Sequence, residues 1–272
     1  MTTDTLTLKH QALLDYMRAL SRVVVAYSGG VDSAFLLRAA IDAVTAENVL
    51  AVIGNSASYP SREFTEAVKL AEELGVEYQV LKTEEMDDKR YAANPNNRCY
   101  FCKHELFSQI LAVAAANGYT AVLDGNNADD IGDWRPGQQA ARELGVRSPL
   151  IEVGMTKAEV RELSKKYNLP TWNKPASACL ASRIPYNTTI TPEKLSMVER
   201  AENFLRDLGF IQVRVRHHDK LARIEVGPAE INNLLDPIIR ETITLELREI
   251  GYQYVTVDLQ GYRLGSFNEM LP

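Results

Sequence analysis

The chain has 272 residues, of which 46% are hydrophobic and 24% are charged, and its formal net charge is −6. This composition is typical of a packed globular protein with one large domain or two unequal ones. No stretch approaches the ~20 apolar residues of a membrane span, and the first residues lack the features of a signal peptide, which predicts a cytoplasmic location. The acidic balance, with no block rich in lysine and arginine, argues against an enzyme that grips a long nucleic acid.

Apolar runs and amphipathic segments alternate along the first part of the chain. Helices are predicted over residues 6–20, from Ala34 onward and over residues 61–74. The predicted strands are the apolar runs at residues 23–26, 49–54, 76–81 and 119–125. This alternation predicts an α/β fold in which a parallel sheet is flanked by helices and binds ligands at the carboxyl ends of its strands.

The first strand leads into a turn rich in serine and glycine, residues 27–33. Glycine lets the backbone approach phosphate oxygens, and the start of the following helix offers N–H groups and partial positive charge. The turn lacks the lysine of a Walker A loop. It resembles instead the PP-loop, S-G-G-x-D-S, of ATP pyrophosphatases, which cleave ATP between its α and β phosphates and adenylate an oxygen of their substrate. The matching residues are Ser28, Gly29, Gly30, Asp32 and Ser33.

A second polar stretch, residues 124–137, begins where the fourth strand ends. The carboxyl ends of parallel strands share one edge of the sheet, so we expect Asp124 and Gly125 to lie beside the PP-loop. Carboxylates there can hold Mg²⁺ on the departing pyrophosphate, and Arg135 can pair with a phosphate or an acidic substrate. An acidic surface loop has the same composition, but the neighbouring PP-loop favours a binding site.

Three cysteines, an odd number, favour metal, redox or catalytic use over structural disulfides. Cys99 and Cys102 form a C-x-x-C motif before a helix predicted over residues 103–115, and Cys179 follows in a long loop punctuated by prolines. A redox pair, unlinked thiols and a zinc site with His104 are alternatives. Since all three cysteines are expected in loops of one α/β domain, a shared site is attractive, and three thiolates on an iron–sulfur cluster would leave one iron open for an external sulfide.

The composition changes near residue 185, which predicts a PP-loop domain over residues 1–185 and a small α+β domain over residues 186–272. A capping box predicts that a helix of the first domain begins at Thr156. In the second domain we predict a helix to about residue 208, strands at 211–216 and 222–226, a helix over 229–250 and a last strand at 252–259. At strand period two, Arg214 and Arg216 share a face. Paired guanidiniums suit a phosphate or a dicarboxylate, although a solvated strand face is an alternative.

The PP-loop, the acidic stretch from Asp124, the K-P-A-S-A-C-L-A-S-R-I-P-Y loop from Lys174 and the R-V-R-x-H strand from Arg214 occur in this order. In this combination the chain resembles the LarE family over essentially its full length. The resemblance implies an ATP-dependent sulfur transferase that acts in biosynthesis of the nickel-pincer nucleotide cofactor of lactate racemase. Such enzymes adenylate a carboxylate of pyridinium-3,5-dicarboxylic acid mononucleotide, release pyrophosphate and replace AMP with sulfur.

The resemblance also implies roles for individual residues. The PP-loop residues would hold the ATP phosphates, with Asp32 and Ser33 in catalysis. The rest of the nucleotide and substrate site would comprise Asp124, Gly125, Arg135, Arg214, Arg216, Glu202 and Glu225. The family has a branch that sacrifices one cysteine as the sulfur source and a branch with three cysteines and a four-iron, four-sulfur cluster. Cys99, Cys102 and Cys179 match the second branch, with Cys179 catalytic. The implied cofactors are ATP, Mg²⁺ and this cluster. The implied partners are a sulfide donor and further copies of the chain, up to a hexamer.

Three other functions share parts of the pattern. A tRNA-thiolating PP-loop enzyme would be expected to show a basic surface and often additional zinc-ribbon cysteines. An amide-forming PP-loop ligase of the NAD or GMP synthetase kind would leave the three cysteines unexplained. A non-enzymatic ATP sensor would have no need of an intact Asp32 and an acidic loop that can hold magnesium.

Overall fold

The computed structural model describes residues 3–132, 136–175 and 178–263. By mutual packing these residues form two compact units. The first contains residues 3–88 and the described residues of 97–175, and the second contains residues 89–96 and 178–263. The predicted division into functional domains at residue 185 stays a prediction.

The first unit is built on a parallel sheet, as predicted. Its strands are β1 (Val23–Ala26), β2 (Val49–Asn55), β3 (Glu77–Lys82) and β4 (Ala121–Leu123), and their order is β3-β2-β1-β4. Val23 of the central strand β1 is in register with Val49 on one side and with Ala121 on the other. The first two strands are continuous apolar runs because helices cover both of their faces.

Helices cover this sheet on two sides. They are α1 (Thr3–Leu20), α2 (Val31–Val44), α3 (Ser61–Glu73), α5 (Arg98–Ala116), α6 (Pro136–Glu143), α7 (Pro149–Glu152) and α8 (Lys157–Lys166). Val23 and Val25 point into a core shared with α1, α2 and α8, whereas Val24 points into a second core with α5 and α6. This alternation follows from the period of two along a strand. Within the described ranges, no helix combines the length and the apolar character needed to cross a membrane.

The second unit packs helices against a small mixed sheet. The strands β5 (Val213–His218), β6 (Leu221–Val226) and β7 (Tyr254–Val257) lie in the order β5-β6-β7, antiparallel between the first two and parallel between the last two. Its longer helices are α9 (Pro192–Asp207) and α11 (Pro237–Ile250). The single helix predicted over residues 229–250 is wrong: α10 (Ile231–Leu234) ends before Asp236, whose carboxylate caps α11 at the N–H groups of Ile238 and Ile239.

A short early segment, residues 89–96 with helix α4 (Lys89–Ala92), belongs to the second unit. The fully buried side-chain amide of Asn94 donates to the carbonyl oxygens of Ile184, Pro185 and Thr188, at 3.3, 2.8 and 3.1 Å. In return the Asn94 carbonyl accepts the N–H of Asn187 at 2.9 Å. Residues nearly a hundred positions apart are thereby held together in one unit.

Candidate active site

The PP-loop joins β1 to α2 and is held closed by its two serines. The hydroxyls of Ser28 and Ser33 lie 3.1 Å apart, and the Ser28 N–H donates to Ser33 Oγ at 3.2 Å. From outside the loop, the Tyr59 hydroxyl donates to the Ser28 carbonyl at 2.9 Å. Gly30 directly precedes α2 and has no side chain to cap the first-turn N–H groups of this helix. Uncapped N–H groups at the start of a 14-residue helix form an anion-binding surface.

Gly29 cannot be replaced by a larger residue without moving the loop. Its φ is +63°, and an added Cβ would lie 2.7 Å from the Cβ of Ala67 on α3. Only glycine adopts the left-handed region without strain. The helix α3 therefore supports the PP-loop at van der Waals distance.

Gly125 brings the end of β4 against the start of α2. A Cβ on this residue would lie 2.9 Å from Ser33 N, 3.1 Å from Ser33 Cα and 3.2 Å from the carbonyl carbon of Asp32. The predicted proximity of Gly125 to the PP-loop is therefore seen in the structure, and it depends on the absence of a side chain.

Asp124, next to Gly125, is buried and braces its own loop. Its carboxylate accepts hydrogen bonds from Ser148 Oγ at 2.7 Å, from the Asn126 N–H at 3.2 Å and from Asn126 Nδ2 at 2.5 Å. Burial raises the pKa of the Asp124 carboxyl, against the opposing effect of these hydrogen bonds. The predicted role of Asp124 in binding magnesium stays a prediction, and Arg135 lies outside the described residues.

Asp32 faces a partner that the sequence patterns did not reveal. One of its carboxylate oxygens forms an ion pair with Lys157 Nζ, and the other accepts from Asn127 Nδ2 at 3.2 Å. The Lys157 backbone N–H donates to Asp129 Oδ2 at 2.9 Å. These contacts bring together the PP-loop, the acidic loop and the first residue of α8. Lys157 thus places a cation beside the PP-loop, which has no Walker lysine of its own.

The position of Lys157 is set by the predicted capping box. Thr156 Oγ1 accepts the Glu159 N–H at 3.3 Å, and Glu159 Oε2 accepts the Thr156 N–H at 2.7 Å. The box fixes Lys157 as the first residue of α8. Two features in the sequence could have pointed to it: a phosphate loop with no lysine of its own, and a lysine at a helix start where cations are otherwise disfavoured.

The carboxylates of this site fit magnesium only with help from a ligand. Within the described ranges, no group of three or more histidine, cysteine, aspartate or glutamate side chains could by itself hold a metal ion. Mg²⁺ is commonly bound by one or two carboxylates together with substrate phosphates, rather than by a cage of protein ligands. The Asp32 and Asp129 carboxylates fit that arrangement.

The second unit buries the two predicted arginines of β5. Arg216 donates from Nη2 to Glu225 Oε2 at 2.7 Å and from Nη1 to the Ser182 carbonyl at 3.0 Å. Arg214 donates to the Val213 carbonyl at 2.7 Å, and its guanidinium carbon lies 5.1 Å from the centre of the Tyr262 ring. Burial and the nearby Arg183 charge lower the pKa of Arg214 to about 10, which leaves it a cation at neutral pH.

Glu202 is fully buried and binds arginines other than the predicted pair. It accepts two parallel hydrogen bonds from Arg183, at 2.7 and 3.0 Å, one from Arg206 at 2.9 Å, and the Val215 N–H at 3.1 Å. Burial alone would raise the pKa of its carboxyl, but the arginine charges and the hydrogen bonds outweigh it and the pKa is lowered. A role for Glu202 and Glu225 in substrate binding stays a prediction.

The cysteines have different structural settings from those predicted. Helix α5 begins at Arg98, not at residue 103, so Cys99 and Cys102 lie within its first five residues and the prediction that they lie in a loop is wrong. No glycine or proline at residues 98–102 interrupts the helical pattern. At a spacing of three, both side chains share a helix face, and a helix N-terminus favours thiolates. Cys179 belongs to the second unit, where it directly precedes a short 3₁₀ turn, Leu180–Arg183. A site shared by all three cysteines stays a prediction.

Known proteins match this chain along nearly its full length. A protein from Lactiplantibacillus plantarum named pyridinium-3,5-bisthiocarboxylic acid mononucleotide synthase is 40% identical over 267 residues, which cover 98% of this chain and 96% of that protein. The chain belongs to the LarE family. An uncharacterized protein from Synechocystis is similar at 44% identity over 97% of this chain and 98% of its own length.

Part of this chain also matches proteins described as NAD synthases. Residues 9–107, which include the PP-loop, match the family model described as NAD synthase. An NH(3)-dependent NAD(+) synthetase from Methanococcoides burtonii is 43% identical over 58 residues, 21% of this chain. These matches confirm the PP-loop α/β fold, and with the LarE relative they confirm that the chain is an enzyme.

Proposed function

We propose that this enzyme is an ATP-dependent sulfur transferase that converts carboxylates of pyridinium-3,5-dicarboxylic acid mononucleotide to thiocarboxylates in nickel-pincer nucleotide biosynthesis. The observation that carries the proposal is the near full-length identity to the Lactiplantibacillus plantarum synthase, whose name gives the bisthiocarboxylic acid as its product. The geometry of the PP-loop supports the use of ATP. A cytoplasmic location and a homo-oligomeric state are parts of this proposal.

The first half-reaction activates a substrate carboxylate. A carboxylate oxygen attacks the α-phosphorus of ATP, the bond to the bridging oxygen breaks, and pyrophosphate leaves. The first-turn N–H groups of α2 and the Gly29 turn would bind the phosphates, and the Lys157 ammonium would neutralise charge that builds up on the departing group. Mg²⁺ held by Asp32 and Asp129 would supply further neutralisation of the phosphates when bound.

The second half-reaction replaces AMP with sulfur. A sulfur nucleophile attacks the acyl carbon of the adenylate, the carbon–oxygen bond to AMP breaks, and AMP leaves with that electron pair. A four-iron, four-sulfur cluster held by Cys99, Cys102 and Cys179 would supply the sulfide when bound, since three thiolates leave one iron open. The i, i+3 pair at the start of α5 suits such ligands.

Arg214 and Arg216 are proposed to hold the substrate through its phosphate or its second carboxylate. Both are cations on one face of β5, and the Glu225 carboxylate orients Arg216 at 2.7 Å. The planar guanidinium of arginine suits phosphate and carboxylate groups, which it can bind through two parallel hydrogen bonds.

The proposal is tested by following AMP and sulfur separately. Protein purified without oxygen is analysed for iron and acid-labile sulfide, then mixed with ATP, Mg²⁺, sulfide and the dicarboxylate mononucleotide. We expect AMP in step with a product that is heavier by the exchange of oxygen for sulfur. Cys99→Ala, Cys102→Ala and Cys179→Ala should each form AMP but transfer no sulfur, whereas Asp32→Ala should lose AMP formation. A wild-type enzyme that forms AMP from other acceptors only would contradict the proposal.

An amide-forming ligase is a second candidate, favoured by the match of residues 9–107 to the NAD synthase model. Such an enzyme would also adenylate a carboxylate, and ammonia would take the place of sulfide. The same assay with ammonium in place of sulfide distinguishes the two. An amide product would favour the ligase, and a thiocarboxylate formed in the presence of both nucleophiles would favour sulfur transfer.

A further inference from the structure

The backbone around Cys179 is held by a side chain that no motif assigned. Arg183 is 1% exposed, and its Nη1 donates to the carbonyl oxygens of Ala178 at 2.6 Å and Cys179 at 2.9 Å. The same nitrogen lies 3.0 Å from Ser182 Oγ. We call residues 178–183 the cysteine turn. One guanidinium group thus contacts the turn on both sides of the Cys179 α-carbon.

The other side of this guanidinium is fixed by a buried carboxylate. Arg183 donates from Nε to Glu202 Oε1 at 2.7 Å and from Nη2 to Glu202 Oε2 at 3.0 Å. Glu202 is fully buried on α9 and also accepts the Val215 N–H of β5 at 3.1 Å. Two parallel hydrogen bonds fix the plane of a guanidinium as well as its position. The cysteine turn is thereby tied to both α9 and β5.

Packing and main-chain hydrogen bonds restrict the cysteine turn in addition to its contact with Arg183. Leu180 and Ala181 are buried, and the Ser182 N–H donates to the Cys179 carbonyl at 2.9 Å. Arg216 donates to the Ser182 carbonyl at 3.0 Å. Cys179 itself is only partly buried. The turn therefore combines a fixed backbone with a thiol that reagents can reach.

A buried ion pair is a weak source of stability, because removing two charges from water costs about as much as their attraction returns. An arginine also offers a planar fork of N–H groups that a lysine cannot reproduce. Here the fork fixes geometry, because it links the Glu202 carboxylate to the successive carbonyl groups of Ala178 and Cys179. We propose that Arg183 is a positioning residue that holds the Cys179 thiol in place for sulfur transfer, an inference that rests on the proposed function.

The test compares two arginines that bind the same carboxylate. Arg206 also donates to Glu202 Oε2, at 2.9 Å, but its contacts with the described residues do not include the cysteine turn. Arg183→Lys is therefore compared with Arg206→Lys. Since a displacement of about 1 Å at a reacting group can cost on the order of 100-fold, we expect Arg183→Lys to lower sulfur transfer by at least about tenfold. Arg206→Lys should keep nearly the wild-type rate.

Cysteine alkylation separates positioning from loss of stability. Iodoacetamide labels the full-length protein in the absence of a bound cluster, so that both thiols are free, at a temperature well below the melting points of all variants. Peptide mass spectrometry then measures the labelling of each cysteine. In Arg183→Lys the labelling rate of Cys179 should change several-fold relative to Cys99 in the same molecule, and Arg206→Lys should leave this ratio unchanged. General destabilisation would change both cysteines together. A wild-type ratio with a wild-type transfer rate in Arg183→Lys would overturn the proposal.

Two controls keep the inference separate from the proposed function. In Arg183→Lys, AMP formation from the substrate should continue while sulfur transfer falls. If the wild-type enzyme transfers no sulfur at all, the proposed function fails. The ratio of Cys179 labelling to Cys99 labelling still reports on the cysteine turn in that case. In case the variant does not fold, amide hydrogen exchange on the wild-type protein gives an independent measurement. The Ser182 and Ile184 N–H groups, bonded to Cys179 and Ala181, should be protected, and exchange as fast as in an unfolded peptide would overturn a fixed turn.

Discussion

Gly125 offers a direct test of how closely the acidic loop packs on the PP-loop. In Gly125→Ala the new Cβ would lie 2.9, 3.1 and 3.2 Å from three atoms of residues 32 and 33, all of them main-chain atoms. Main chain cannot rotate away, so the end of β4 or the start of α2 must shift. Overpacking of this kind costs about 1–3 kcal/mol. In a chain of this size each kcal/mol lowers Tm by roughly 2–4 °C, so we expect a loss of about 2–12 °C.

The shift should also reach the phosphate site, because the displaced atoms include the Ser33 N–H at the start of α2. We expect Gly125→Ala to weaken ATP binding by about tenfold, which corresponds to about 1.4 kcal/mol. Thermal unfolding and titration calorimetry with ATP measure the two effects on the same samples.

The matched control is Gly54→Ala. The three atoms nearest to its added Cβ all belong to the side chain of Leu106, the closest at 2.8 Å, and that side chain can rotate. We expect a cost below about 1 kcal/mol, because the loss of unfolded-state freedom partly offsets the crowding. If Gly125→Ala melted and bound ATP like the wild type, or if both variants lost the same stability, the close approach of β4 to α2 would be refuted.

Two further predictions concern the buried and half-buried charges. Lys157→Met should lower AMP formation on the order of 100-fold, as expected for loss of a preorganised charge at the phosphates. It should cost less than about 1 kcal/mol of stability, because the ion pair with Asp32 is partly exposed. Lys166→Met, which removes a surface ion pair with Glu162, is the control, and unchanged AMP formation in Lys157→Met would contradict the proposed role. Glu202→Gln should lose about 3–5 kcal/mol of unfolding free energy at pH 7, since it leaves arginines buried without their carboxylate. The folded-state pKa of Glu202 is lowered, so the stability that its carboxylate contributes is present above the unfolded pKa of about 4.3 and is lost as the pH falls through the folded pKa. The difference in unfolding free energy between the wild type and Glu202→Gln should therefore narrow in acid. A constant difference in urea titrations from pH 7 to pH 3 would refute the stabilising role of this carboxylate.

Local patterns in the sequence were enough to predict the sheet and the PP-loop. Continuous apolar runs reveal buried parallel strands, and the serine and glycine turn after β1 has a meaning that does not depend on the rest of the chain. The capping box at Thr156 was found for the same reason, since both of its partners lie within one helical turn.

Contacts between distant residues could not be predicted in this way. Lys157 lies 125 positions from Asp32, and only the folded sheet brings the first residue of α8 to the PP-loop. Arg183 appeared as one letter of a family motif, and its pairing with Glu202 depends on where α9 packs. Helix ends were also misjudged where the signal was weak: Asn97, with no side-chain capping hydrogen bond, precedes α5, which begins five residues before the predicted start.

The segment 89–96 has a consequence for the order in which the molecule is assembled. During synthesis its buried anchor, Asn94, emerges long before the carbonyl groups of residues 184–188 that it binds. The second unit therefore cannot close until more than two thirds of the chain have been synthesised, and the C-x-x-C motif, which follows residues 89–96, is made long before that point. A fragment that starts at residue 178 would also lack residues 89–96 of the second unit, including the buried side chain of Asn94. Attempts to express the C-terminal part by itself should therefore supply residues 89–96 as a peptide or fuse them by a permuted linker.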